Sequence, residues 1–151
     1  MKDFFTRGLV IGILTAIVES CYTLTAYYVF RFGALRYLDY AAIMIYGQKS
    51  GTLIQSVFAQ LGYFFFSAFL GIVFVYLLHY IKRDNMYLKS WFYGVLVWFA
   101  VYSLTMLYKV PLLLKIDFET SLNNFIASSI WGLGLGFFYQ LMDKKFGSLK
   151  N

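Results

Sequence analysis

RGLVIGILTAIVESCYTLTAYYVFR, Arg7 to Arg31, is an apolar stretch closed by an arginine at each end, with one carboxylate, Glu19, at its midpoint. At 1.5 Å per residue a helix of this length spans a hydrocarbon core of about 30 Å, which needs about 20 apolar residues. Glu19 then stands near the membrane midplane, where a carboxylate is most costly. On a helical wheel Gly8, Gly12, Thr15, Thr23, Ala26 and Phe30 gather round Glu19, while Val10, Leu14, Ile17, Leu24 and Tyr28 lie opposite. One face is small and polar, the other suits lipid. Gly8 and Gly12 form a G-x-x-x-G pair that lets a second helix approach on the side of Glu19. Thr15 and Thr23, one turn before and after, are the candidate hydrogen-bond donors to the carboxylate. Two readings of Glu19 stay open: a proton or cation site, and a neutral carboxyl that hydrogen-bonds across a bundle.

Composition assigns the whole chain to the same class. Of 151 residues 61% are hydrophobic and only 13% charged, with a mean hydropathy of +0.67, against about 45–50% and 25% in soluble domains. The net charge of +6 is spread in short basic groups between apolar segments. That pattern fits the flanks of membrane helices and argues against nucleic acid as a partner. A single cysteine, Cys21, excludes a disulfide framework and argues against a thiolate metal site. The first apolar segment exceeds a signal-peptide core of about 7–15 residues and is expected to stay as an anchor.

The predicted architecture is an all-α integral membrane four-helix bundle, one transmembrane domain, with helices at about 5–32, 52–81, 90–108 and 121–142. The external connection 33–51, GALRYLDYAAIMIYGQKSG, has Leu35, Leu38, Ala42 and Ile45 near helical spacing between bracketing glycines. It predicts a short interfacial helix, with Tyr37, Tyr40 and Tyr46 at the membrane surface; a re-entrant segment is the alternative. In the second span Ser56, Gln60, Tyr63, Ser67 and Gly71 share a face, and Ser67 is placed to meet Glu19. Trp91 opens the third span and Pro111 ends its helical run. In the fourth, Asn124, Ser128, Gly132, Gly136 and Gln140 recur every four residues, and Gly132 with Gly136 makes a second packing pair.

With both termini on one side, eight basic residues fall there, among them Lys2, Arg7, Lys82, Arg83 and Lys145, and five on the other: Arg31, Arg36, Lys49, Lys109 and Lys115. The positive-inside rule places both termini in the cytoplasm. His79, the sole histidine, is read as interfacial. Asp39, Asp117 and Glu119 are read as solvated external charges. No H-E-x-x-H, P-loop, serine elbow or pair of carboxylates at a helical offset is present, so neither an enzyme nor a cofactor or metal is expected. The GLGLG string lies inside the fourth span without a preceding strand and reads as packing.

The central glutamate in the first of four helices resembles that of small multidrug-resistance transporters, from which this chain departs by its 19-residue external connection. A broader resemblance is to the YqhR-type family of small four-helix membrane proteins of Gram-positive bacteria. It is carried by the order of the spans, the longer first external connection, W-x-x-G at Trp91 and Gly94, Trp98 one turn later, and Pro111. It implies the four-span architecture and no assigned activity, substrate or catalytic residue. Two functions are expected from these readings. One is a non-enzymatic accessory or interaction protein of the bacterial cell membrane, with the bilayer, another membrane protein or a second copy as partner. The other is a small oligomeric proton-linked transporter or channel using Glu19.

Overall fold

The computed structural model of the chain describes residues 3–81 and 84–147. They form five helices and no strand: α1 Phe4–Tyr28, α2 Tyr37–Tyr46, α3 Leu53–Tyr80, α4 Met86–Leu107 and α5 Phe118–Phe146. All but α2 are long and apolar enough to cross a membrane. Large side chains such as Phe65, Phe69, Phe92 and Phe99 face outward, as lipid-facing positions require.

Helix ends follow local capping more than the edges of hydrophobicity. Asp3 caps α1 by accepting from the Phe5 and Thr6 amides, Thr52 caps α3 through Gln55, and Asp117 caps α5 through Thr120. The first helix ends at Tyr28, four residues short of Phe32. There the chain doubles back, with Arg31 left-handed at φ 50° and the Phe32 amide donating to the Ala26 carbonyl at 3.0 Å. The third span starts at Met86, not near Ser90, because Met86 is buried in the main core and its turn is held by the Lys89 amide on the Asn85 carbonyl. The last span exceeds the predicted 121–142 at both ends. Its added C-terminal turn carries Asp143, which meets Arg7 at 2.6 Å.

Packing order follows from the small residues. Helix α1 packs on α3 and on α5, α5 also packs on α4, and α3 with α4 make no comparable interface. At the α1–α3 crossing a Cβ on Gly71 would stand 2.5 Å from the Gly8 carbonyl oxygen and 2.8 Å from Gly12 Cα. At the α4–α5 crossing a Cβ on Gly94 would stand 2.8 Å from Gly132 Cα, and one on Gly136 would strike the Ser90 side chain. Gly8, Gly12 and Gly132 are thus used for backbone contact within the chain, and Gly136 for contact with the Ser90 side chain.

Ile11, Phe74, Val75, Trp131, Leu135 and Tyr139 form most of the main core, and a second cluster of Leu35, Tyr40, Ile43 and Leu113 ties α2 to the α4–α5 connection. Phe4 lies edge-on to His79 at 5.2 Å, and Arg7 also donates to the Gly147 carbonyl at 3.0 Å. The start of α1, the end of α3 and the end of α5 therefore meet at one end of the bundle. Lys2, Lys82, Arg83 and Lys150 of the charge argument lie outside the described residues.

Candidate functional site

Helix α1 turns Glu19 inward, leaving it 1% exposed. Its Oε2 accepts a 2.6 Å hydrogen bond from the Tyr63 hydroxyl on α3. The Tyr63 ring lies on that of Tyr37 in α2, 5.9 Å apart and 7° from parallel. The Tyr37 hydroxyl is paired with the Ser128 hydroxyl and donates to the Asn124 carbonyl on α5. Asn124 Nδ2 donates to the hydroxyls of Tyr40 at 3.3 Å and Tyr102 at 3.0 Å, bringing in α4. Beside this chain Gln60 Nε2 donates to Ser20 Oγ at 2.9 Å and the Tyr22 hydroxyl to Asn123 Oδ1 at 3.1 Å. All five helices thus contribute to one polar layer in an otherwise apolar interior. Three of its buried atoms, Glu19 Oε1, Asn123 Nδ2 and Asn124 Oδ1, have no partner among the described residues.

The side chains expected round Glu19 are distributed differently. Thr15 donates to the Ile11 carbonyl at 2.7 Å, and Thr23 to the carbonyls of Glu19 and Ser20 at 3.2 Å. Both hydroxyls serve the preceding turn of their own helix, the usual outcome for a threonine inside a helix. Ser67 donates to the Gly12 carbonyl at 2.9 Å and accepts from Trp131 Nε1 at 2.8 Å, pinning α3 and α5 to the α1 seam and not to Glu19. The partner is Tyr63, one turn nearer the start of α3 on the polar stripe read from the sequence. Tyr37 and Tyr40, expected at the surface, reach into the bundle because α2 is wedged against α3.

Asp39, expected as a solvated charge, is buried. Its carboxylate takes the Arg36 amide at 2.8 Å and the guanidinium through Nε and Nη2, both at 3.0 Å. Arg36 lies 4.3 Å over the Tyr27 ring, so this pair clamps the start of α2 onto the end of α1. Asp117 matches the exposed reading, and hydrogen bonds from Thr120 hold its carboxyl below the usual value.

Helices α3 and α4 touch where the Tyr93 hydroxyl donates to the Leu70 carbonyl at 2.9 Å and its ring packs on Phe74, and between that contact and α2 the bundle is open on one side. The cleft has a volume of about 400 Å³, floored by Ser128 and Trp131 of α5 and roofed by Tyr37, Tyr40 and Ala41 of α2. Phe66 and Leu104, both about half exposed, stand on opposite walls at its mouth. Trp98 forms part of the α4 wall, its ring packed against Tyr102 and edge-on to Phe125.

No family model, curated protein or solved structure matches this chain.

Proposed function

We propose that this chain is a non-enzymatic accessory protein of the bacterial cytoplasmic membrane, with both termini cytoplasmic, that works by taking a membrane-embedded molecule into the cleft between α3 and α4. One observation carries the reading: the glycine faces are consumed inside the bundle, whereas α3 and α4, joined where Tyr93 meets Leu70 and Phe74, enclose a formed space between that contact and α2. A concave, mostly apolar space of this size is the usual form of a ligand site. The resemblance to the YqhR-type family supports the bacterial membrane, and the charge asymmetry supports the orientation. Photoreactive residues at Phe66 and Leu104 should give adducts in native membranes that are absent from the outward position Phe99. Identical products from all three positions overturn the reading.

Glu19 favours a second reading, proton-linked transport. Its Oε1 is buried without a partner in a chain of hydroxyls and amides, and intramembrane ionisable groups commonly mark ion or proton pathways. Proteoliposomes should then show a proton-dependent flux that Glu19→Gln abolishes. Equal flux in the two proteins removes Glu19 from any such path.

A further inference from the structure

Apart from the Trp98 indole, the polar groups on the cleft walls are spent on partners of their own. The Tyr63 hydroxyl is spent on Glu19, that of Tyr37 on Ser128 and Asn124, and that of Tyr40 on the Asn124 amide. The Trp131 indole N–H is spent on Ser67, and the Ser67 hydroxyl in turn on the Gly12 carbonyl. What faces the space is hydrocarbon and ring surface, including Met44, Phe66, Leu70, Val97 and Leu104. Its α3 wall, Gly62 to Leu70, lies well inside Leu53–Tyr80, and its α4 wall runs from Gly94 to Leu104 of Met86–Leu107, towards the α2 end of the span. The mouth therefore opens at hydrocarbon depth.

Physical chemistry narrows the occupant. The Trp98 indole N–H is the one polar atom of the lining left buried without a partner among the described residues, and a lone donor does not hold water, which needs about two to four polar partners. A flexible hydrocarbon chain matches the apolar lining and is the material at the mouth. It restores the dispersion contacts that an empty space forfeits on every wall.

We infer that the cleft binds one hydrocarbon chain of a membrane lipid, inserted sideways between Phe66 of α3 and Leu104 of α4 and lying against Trp98 and Trp131. The inference rests on the cleft reading above and commits it to a lipid tail. Acyl and prenyl chains share this chemistry.

Trp98 and Trp131 line the cleft, while the Trp91 indole is hydrogen-bonded to Ser129 elsewhere, so intrinsic fluorescence reports on occupancy. The full chain in dodecyl maltoside micelles is titrated with increasing fractions of phosphatidylglycerol brominated on its acyl chains. A bound chain gives a quenching component that saturates at low bromolipid fraction, above the linear quenching by surrounding lipid. Relief of that component by added polyprenol identifies a prenyl chain, and persistence identifies an acyl chain. Ala41→Phe, which fills the cleft from α2, should lose the saturable component, and Trp98→Phe should lose part of it. Should Ala41→Phe fail to fold, Trp98→Phe decides alone. Quenching that is linear in the parent, or a saturable component that neither variant changes, overturns the lipid tail. Crosslinking from Phe66 and Leu104 scores any occupant, so it separates that failure from a failure of the cleft reading itself.

Discussion

The Tyr63 hydroxyl and Glu19 Oε2, 2.6 Å apart, join α3 to α1 across the interior of the bundle. Removing either partner has a different consequence. Tyr63→Phe leaves the buried carboxyl without its donor and should cost about 1–3 kcal/mol. Glu19→Gln keeps an acceptor in place and should be nearly neutral, whereas Glu19→Ala strands the hydroxyl and should cost about 1–2 kcal/mol, as for interhelical hydrogen bonds in membranes. Unfolding in mixed detergent checks the order, and a Tyr63→Phe variant as stable as the parent removes the bond from the account.

Gly132 sets how near α4 and α5 can come. A Cβ there would lie 2.6 Å from the Ser90 carbonyl oxygen and 3.1 Å from Gly94 Cα, against backbone that cannot move away. Gly132→Leu should therefore destabilise by at least about 1–3 kcal/mol, the range for overpacking. Gly136→Leu, which first meets the Ser90 side chain, should cost less. Thermal aggregation midpoints with gel filtration measure both, and the reverse order would place the tighter contact at Gly136.

Orientation yields to thiol labelling. In a Cys21→Ser background, cysteines at Lys49 and Lys115 should react with an impermeant reagent added to whole cells, while those at Arg83 and Lys145 should not. Labelling at Arg83 from outside reverses the assigned sides.

Asp117 makes the first turn of α5 acid-sensitive. Hydrogen bonds from Thr120 hold its folded value below the ordinary 3.8. Its contribution is therefore present above that value and is lost as pH falls through the lower folded one. Amide exchange at Phe118–Thr120 should speed up across that window relative to mid-helix amides. Asp117→Asn should keep the cap and flatten the dependence; a dependence unchanged in Asp117→Asn assigns it to another group.

Much of this was legible in the sequence because bilayer thickness fixes span length, and the wheel of α1 put Glu19 among Gly8, Gly12 and Thr15. Its partner was not legible. Thr15 and Thr23 are nearer in sequence, but a helical threonine satisfies itself on the preceding turn, leaving the longer reach of Tyr63 to meet the carboxylate. Tyr37 and Asp39 were misplaced for a related reason. An interfacial pattern records that a short helix is amphipathic, and it does not record that α3 and α4 stand far enough apart to admit its side chains. Met86 joined α4 through burial in the core, which no local signal in its polar surroundings announces.

The Glu19–Tyr63 bond also bears on the order of synthesis. The two residues are 44 positions apart, and at about 5–20 residues per second the first emerges several seconds before the second. During that interval the first span holds a carboxylate whose donor does not yet exist. Its release into lipid is therefore cheapest when delayed until α3 has arrived, so that the two helices leave the insertion machinery as a hairpin with their polar pair already made.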